Sequence, residues 1–279
     1  MNEAPNHYEN FPVASLLCPA ALRPAVVALY HFARTADDIA DEGNASAAQR
    51  LADLKRYRQS LTAMCAPSPA PEPEWAWVFD PLARVVHEYG LPTSLLHDLL
   101  DAFEQDVDMT ERGHIYSDEA HLLDYCRRSA NPVGRLVLHL YGVNQEAALR
   151  RSDAICSALQ LINFWQDCSV DLPRGRCYFP QTWMDAYGTS LQSLRARDHH
   201  PHNQALIAHS VAHARALMLS GAPLVHQVKG RAGWELRLVV QGGLRVLEQV
   251  EQLGAGVLLQ RPRLHAPDYV RMLWRALRM

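Results

Sequence analysis

The sequence lacks the features that mark several common protein classes. Its six cysteines form no Cys-x-x-Cys pair, which argues against a zinc cage and for reduced thiols. Charged residues make up only 20% of the 279 residues, the net charge is −3, and no dense Lys/Arg patch suggests a nucleic acid partner. No apolar run reaches the roughly 20 residues needed to cross a bilayer. Met1–Asn10 is polar rather than a signal peptide, so the sequence predicts a cytoplasmic protein.

Alternating strand patterns are scarce, and apolar residues recur mostly at helical spacing. With 48% hydrophobic residues, the chain is expected to form an all-α protein with one domain over residues 1–279. Pro24 fits the first turn of a helix that ends at Asp41, just before Gly43. Further helices are expected at about 47–64, 75–89, 93–110, 118–130, 132–141, 145–171, 202–220, 231–253 and 267–277. The Pro-rich stretch 66–74, the corner at 172–176 and the His-rich stretch 198–202 are expected to be loops.

Acidic residues cluster at the end of the first predicted helix. Tyr30, Arg34, Asp37 and Asp41 fall on one stripe of that helix, with Asp38 beside Asp37. Asp37 and Asp41 are one turn apart, about 6 Å along the axis, which lets two carboxylates hold separate or bridging Mg²⁺ ions. A solvated acidic helix end is the competing interpretation. The flanking Ala, Ile and Phe residues count against it, because a carboxylate on a buried helix needs a partner or a metal.

A second polar stripe lies inside the predicted helix 145–171. Gln160, Asn163, Asp167 and Asp171 recur one turn apart and are surrounded by apolar residues. One such stripe is weak support for a metal site, but two on different helices are much stronger. If they face each other across a bundle, they can bind a cluster of Mg²⁺ ions that neutralises a diphosphate leaving group. The rest of such a cavity must be apolar and nearly dry, to protect the carbocation that forms.

With both stripes in place, the chain resembles the squalene/phytoene synthase family of head-to-head prenyl synthases. The resemblance extends from His7 through residues 34–41 to residues 159–171. It implies an all-α isoprenoid synthase (class I terpenoid synthase) fold, a helical bundle with a central apolar cavity. Within the family, the strings at 9–17, 37–43, 163–167, 235–238 and 242–245 are most similar to bacterial enzymes of hopanoid biosynthesis that form hydroxysqualene.

Carried over position by position, the resemblance implies a role for each of the following residues. The Mg²⁺ ligands would be Asp37, Asp38, Asp41, Asn163, Asp167 and Asp171; phosphate contacts would come from His7, Tyr30 and Arg34; Gln160 would support the metals and the diphosphate; and Tyr125 would lie near the reacting carbons. Arg261 or Arg263 is expected to reach the diphosphate. Arg174 and Arg176 either cap the preceding helix or reach phosphate.

One position departs from the family pattern. Many members have Arg immediately before the first Asp of the second stripe, where this chain has Gln166, also predicted to contact substrate. A neutral side chain offers one cation fewer, which favours a site that binds a single diphosphate. The implied reaction is Mg²⁺-dependent ionisation of presqualene diphosphate, rearrangement of the cyclopropylcarbinyl cation and capture by water to give hydroxysqualene. No Gly-x-Gly-x-x-Gly loop occurs, and no NADPH is expected.

Two alternatives stay open at this point. The chain could join two prenyl diphosphates, as a presqualene diphosphate, squalene or phytoene synthase, or it could be a non-catalytic helical partner of such a synthase. The expected ligand is presqualene diphosphate or a related prenyl diphosphate. A loose association with the membrane surface, to release a lipid product, and a functional partnership with neighbouring pathway enzymes are compatible with the sequence.

Overall fold

Helices fill most of residues 18–65, 72–197 and 199–279, the parts of the chain that the structure, a computed structural model, describes. In these stretches there is no β-strand, which confirms the all-α prediction. The α-helices are α1 (Arg23–Asp41), α2 (Ala47–Met64), α3 (Ala76–Tyr89), α4 (Ser94–Arg112), α5 (Glu119–Ser129), α6 (Asn131–Leu140), α7 (Glu146–Gln166), α8 (Cys168–Asp171), α9 (Gln181–Ala186), α10 (Leu191–Ala196), α11 (Pro201–Gly221), α12 (Gly230–Leu253) and α13 (Ala266–Ala276).

Local sequence signals explain several helix ends. The Ser46 hydroxyl accepts a hydrogen bond from the Gln49 backbone N–H (3.2 Å) and caps α2. The Asp118 carboxylate does the same for α5 through the His121 N–H (2.9 Å). Gly90 and Gly113 end α3 and α4 in the left-handed region, at φ values of 62° and 61°. Glycine adopts this conformation without the steric cost of a Cβ, so both helices stop there.

Two apolar clusters make up the core. The first is formed by helices α1, α2, α3 and α4 around Phe32, Tyr57 and Phe79. The Tyr57 hydroxyl donates a hydrogen bond to the Phe32 carbonyl oxygen at 3.1 Å. The second surrounds α7, which packs against α6, α11 and α12 and is buried on nearly every side. Helix α6 contributes Leu136 to the first cluster and Leu138 to the second. The seam between the clusters therefore runs along α6, with α1, α4, α7 and α12 beside it.

Helices α7 and α11 come unusually close at Gly221. A Cβ on this glycine would lie 2.5 Å from the Arg151 carbonyl oxygen and 2.7 Å from Ile155 Cγ1, both on α7. No side chain fits at those distances without moving α7, because one of the neighbours is backbone. The central helix is therefore held in place by direct backbone packing.

The structure differs from the sequence predictions around the second acidic stripe. The predicted helix 145–171 is interrupted at Asp167, which ends α7 and begins α8 with φ −99° and ψ 10°. Helices α9 and α10 were not predicted, because six residues carry too little periodicity to stand out. The predicted loop 198–202 is shorter than expected, since Pro201 takes the first helical position of α11 and His202 lies in its first turn.

Candidate active site

A cavity of about 650 Å³ lies along the seam between the two apolar clusters. Most of its wall is apolar, with Leu29, Phe103, Val137, Leu159 and Leu236 as examples from five helices. Its polar end is formed by Tyr30, Arg34, Asp37 and Asn163. Both Asn163 and Ser152 of α7 line it, so it extends about 16 Å along that helix. Glu235 of α12 is a further charged residue of the lining, and its charge acts on Cys18 and Tyr141. A largely apolar, elongated chamber with Arg34 and Asp37 at one end suits a ligand that has a long hydrocarbon part and an ionic head.

Arg34 holds the carboxylates of the first acidic stripe. Its guanidinium lies 3.1 Å from Asp37 Oδ2 and 2.6 Å from Asp38 Oδ1. Burial raises the pKa of Asp37 above its ordinary value, although the Arg34 charge acts in the opposite direction. The neighbouring Asp41 and Asp38 carboxylates raise this pKa further. More positive charge at this position would therefore stabilise the ionised stripe.

The second stripe is arranged in the same way. Arg261 forms an ion pair with Asp167, with Nη2 of the arginine 3.2 Å from Oδ2 of the aspartate. Burial, together with the Asp167 charge, raises the pKa of Asp171 to about 6. Burial also raises the pKa of Asp167, against the effect of Arg261. Of the two C-terminal arginines considered in the sequence, Arg261 contacts the second acidic stripe.

Arg176 connects the two stripes. It follows the corner after α8, and its guanidinium forms an ion pair with Asp41 at the end of α1. Arg174 lies 3.8 Å from the same carboxylate and is more exposed. The charges of Asp41 and Asp171 also act on each other. The structure thus brings both stripes to one end of the bundle, and it places Arg176 among the carboxylates rather than on helix-end carbonyls.

The donor set at this end fits Mg²⁺. Hard oxygen ligands are available from the carboxylates of Asp37, Asp41, Asp167 and Asp171 and from the amide of Asn163, and Mg²⁺ prefers such ligands. In the described parts of the chain, no three His, Cys, Asp or Glu side chains converge closely enough to hold an ion by themselves. Mg²⁺ commonly binds through one or two carboxylates and completes its shell with water and phosphate oxygens, so this donor set leaves coordination positions for other ligands.

A further carboxyl group, Asp106 of α4, was missed in the sequence analysis. The hydroxyl of Tyr125 donates a hydrogen bond to Asp106 Oδ2 at 2.7 Å. Burial raises the pKa of Asp106 to about 7, and the charges of Asp37 and Asp41 act in the same direction. In the sequence, Asp106 lies within an acidic run of α4, a pattern that is typical of a solvated helix face. No local pattern distinguishes it from Asp108, which lies nearer the surface and pairs with Arg112 at 2.8 Å.

Of the predicted site residues that the structure describes, four line the cavity: Tyr30, Arg34, Asp37 and Asn163. The others are not in its lining: Asp38, Asp41, Tyr125, Gln160, Gln166, Asp167 and Asp171. Gln166 is only 2% exposed, and its side-chain amide donates to the Pro262 carbonyl oxygen at 2.8 Å, so it anchors the segment that carries Arg261. Gln160 is half-buried on α7 and is not among the residues that line the cavity. His7 lies outside the described residues.

This geometry agrees with a match to known proteins. The family model for squalene/phytoene synthase matches residues 4–269. The chain belongs to the squalene/phytoene synthase family. The family model covers both acidic stripes, Tyr125 and Arg261, so these residues are all within the part of the chain that defines membership.

Several members of the family are similar to this chain in sequence or structure. Hydroxysqualene synthase of Zymomonas mobilis is 40% identical over 67% of this chain, a match that spans 59% of that protein's length. Hydroxysqualene synthase of Rhodopseudomonas palustris is 32% identical over 87% of this chain and 80% of its own length. The crystal structure of squalene synthase HpnC from Alicyclobacillus acidocaldarius superposes with a TM-score of 0.79 at 36% identity, covering 89% of this chain and 90% of that one.

Proposed function

We propose that this family member converts presqualene diphosphate to hydroxysqualene with the help of Mg²⁺. The observation that carries the proposal is the polarity of the cavity: Arg34, Asp37 and Asn163 line the end that belongs to the two acidic stripes, and apolar side chains make up most of the remaining wall. The charged end suits the diphosphate, and the apolar wall suits the hydrocarbon. The similarity to hydroxysqualene synthases supports this substrate in particular.

The charged end supplies what the departure of a diphosphate requires. Bound Mg²⁺ would contribute positive charge that stabilises the leaving group. Arg34, Arg176 and Arg261 now pair with the acidic stripes, and each can grip two phosphate oxygens once a metal takes over the carboxylates. The apolar wall keeps stray water away from the carbocation until it has rearranged.

Water capture leaves one proton to be removed, since the cation and water give an alcohol and H⁺. Asp106 suits this task because its pKa of about 7 permits proton acceptance near neutral pH. The Tyr125 hydroxyl donates a hydrogen bond to Asp106. The proton released near the reacting carbons would reach the Asp106 carboxylate through this hydrogen bond. In this proposal Tyr125 contacts the substrate and Asp106 acts through it.

Gln166 does not bear on whether the site binds one diphosphate or two. That side chain lies in the core and binds the Pro262 carbonyl, so its neutrality does not change the charge of the cavity. Support for presqualene diphosphate comes instead from the relatives and from the Asp106–Tyr125 pair.

Product analysis tests the proposal directly. The purified protein with presqualene diphosphate and Mg²⁺, without NADPH, is expected to yield hydroxysqualene by mass spectrometry, and H₂¹⁸O is expected to label the hydroxyl. Turnover of farnesyl diphosphate alone with release of pyrophosphate would show a condensing synthase instead. Absence of turnover with either substrate would favour a non-catalytic partner.

A ligand variant tests the metal dependence. Asp37→Asn is expected to lower kcat at least about 100-fold, because one ligand and one charge are lost where the leaving group develops its own charge. Glu42→Gln is the matched control, since Glu42 lies just past α1, is exposed and is 3.9 Å from Arg34. Equal activity of the two variants would contradict the metal role of Asp37.

A lipid surface is a further part of the proposal. Among the described residues, no helix has the length and apolar character needed to span a membrane. Hydroxysqualene is nevertheless almost insoluble in water, so we propose that a membrane surface receives it. The reaction that makes presqualene diphosphate must also supply its product to this site, which favours a partner enzyme working nearby.

A further inference from the structure

Helix α13 presents an apolar face to the outside of the protein. Tyr269, Val270, Leu273, Trp274 and Leu277 are each 50–68% exposed. Their spacing places all five on one side of the helix. Globular proteins expose single apolar side chains freely, but a contiguous patch of large ones marks an interaction surface.

The opposite face of α13 is firmly attached to α12. Met272 and Ala276 are buried, and the buried Asp268 binds Arg245 at 2.7 Å and Gln249 at 3.0 Å. Asp268 also accepts from the His265 N–H and so caps the helix. The apolar face is therefore a fixed part of the fold, not the result of a loosely attached end.

Cations surround this face. Arg278 lies over the Trp274 ring, 3.6 Å from its centroid. Arg271 is half exposed, and its nearest acidic partner is Glu248 at 3.9 Å, a carboxylate that also serves Arg245 and Arg275. Glu248 and Asp268 together thus face three arginines, Arg245, Arg271 and Arg275, and Arg278 adds a fourth cation, which leaves the surface positive although the chain as a whole carries −3.

The same surface continues along α12 beyond the end of α13. Trp234 is 42% exposed, and Arg237 lies 4.8 Å from its ring centroid. Trp234 and Arg237 share one side of α12 with Gln241, whose amide contacts the Met279 sulfur at 3.5 Å. Lys229 and Arg231 are exposed close by. Aromatic and basic residues thus alternate along a single surface.

We infer that the outer face of α13, together with Trp234 and Arg237, docks on an anionic phospholipid membrane. The helix would lie in the plane of the interface with its apolar side chains among the acyl chains. Trp and Tyr favour this depth because one end of each side chain is apolar and the other polar. Arginines at the rim would bind lipid phosphates, each adding affinity at low salt.

A second copy of the chain fits this face less well. A two-fold contact centred on this face would bring Arg271 and Arg278 of one copy near the same residues of the other, and this repulsion would oppose association. The inference also stands apart from the proposed reaction, because it depends on the exposure and charge of α13 whichever prenyl diphosphate is the substrate.

Vesicle co-sedimentation tests the inference. The protein is expected to sediment with vesicles of phosphatidylcholine plus phosphatidylglycerol, less with phosphatidylcholine alone, and less at high salt. Trp274→Glu, and separately Arg271→Glu with Arg278→Glu, are expected to weaken binding on the order of tenfold or more. Trp77→Glu is the matched control, because Trp77 on α3 is 56% exposed and lies outside the surface.

Other outcomes overturn the inference. If the wild-type protein binds neither kind of vesicle, the surface is not a membrane-docking site. The same conclusion follows if Trp274→Glu and Trp77→Glu weaken binding equally. If light scattering shows a dimer that Trp274→Glu dissociates, and vesicles do not bind, a second copy occupies the face. Activity on detergent-solubilised substrate should remain unchanged in Trp274→Glu, which separates this test from that of the proposed reaction.

Discussion

Asp106 belongs to neither acidic stripe, yet it lies within the electrostatic reach of Asp37, Asp41 and Arg176. Its pKa of about 7 makes folding depend on pH. The folded state binds this proton more tightly than the unfolded chain does, so the stability contributed by the protonated group falls as pH rises from about 4 towards 7. The Asp106 carboxyl group therefore lowers the stability of the folded state at neutral pH, the same pH range in which it is proposed to accept a proton.

Asp106→Asn tests this pKa. The amide resembles the protonated acid, so the gain in unfolding free energy of the variant over wild type is expected to grow from pH 5 to pH 8 by on the order of 2–3 kcal/mol. Urea denaturation at the two pH values measures the difference. Asp108→Asn on the same helix controls for the substitution itself. A difference between variant and wild type that is equal at both pH values would contradict the assignment.

Arg176 lies between the two acidic stripes, so its replacement tests whether this cation is needed for the reaction. Arg176→Gln is expected to lower kcat about 100-fold, since it removes a cation that both balances Asp41 and can bind the diphosphate. Steady-state kinetics gives the effect, with thermal denaturation as a check of folding. Arg174→Gln, at a more exposed position 3.8 Å from Asp41, is the control and is expected to change kcat only a few-fold. Equal effects of the two substitutions would argue against this role.

The sequence could predict the acidic stripes but not the residues that balance them. Asp37 and Asp41, or Asn163 and Asp167, are close in sequence, and helical geometry alone brings them together. The Arg176–Asp41 and Arg261–Asp167 pairs join residues 135 and 94 positions apart. Their meeting depends on how α1, α7 and the C-terminal segment pack. Asp106 was missed for the same reason, because its partner Tyr125 lies on another helix.

Among the elements, long helices were predictable and short ones were not. The ends of α1 and α2 were placed within a residue or two. Pro24 and Gly43 mark the two ends of α1, and the Pro-rich stretch 66–74 follows α2. The break at Asp167 has no such mark, since the apolar pattern continues across it. Because of the break, Asp171 does not lie on the same continuous helix as Asn163. The second stripe is therefore less regular than the first.

The contact between α7 and α11 offers a test at the scale of elements. Gly221→Ala is expected to lower the unfolding free energy by about 1–3 kcal/mol, because its Cβ would press on the Arg151 carbonyl of α7. Chemical denaturation measures the loss. Gly256→Ala is the control, since a Cβ there meets its nearest atom at 3.8 Å, an ordinary contact. A Gly221→Ala variant as stable as the control would show that the helices can separate at little cost.

At the scale of the whole molecule, the pairing of arginines with both stripes would link the proposed binding of Mg²⁺ to the binding of the diphosphate. Mg²⁺ alone must compete with Arg34, Arg176 and Arg261, and diphosphate alone must approach a group of carboxylates. Each ligand removes the obstacle to the other, because the metal takes the carboxylates and the phosphate takes the arginines. The two should therefore bind with positive coupling.

Thermal denaturation measures this coupling. Inorganic diphosphate and Mg²⁺ together are expected to raise Tm by more than the sum of their separate shifts, since only the pair binds the folded state tightly. Ca²⁺ in place of Mg²⁺ provides a comparison with a larger ion. A full shift with Mg²⁺ alone would mean that the carboxylates form a complete metal site by themselves.

Helix α12 is a wall with two different sides. Ala232, Leu236 and Val239 line the cavity, while Trp234 and Arg237 lie on the opposite side of the same helix. One helix, about 10–12 Å across, therefore separates the largely apolar cavity from the exterior. If a water-insoluble product leaves on this side, it passes from the apolar cavity to the apolar interior of the membrane across the width of one helix. Its release then depends on partition between these two apolar environments and does not require that it dissolve in water.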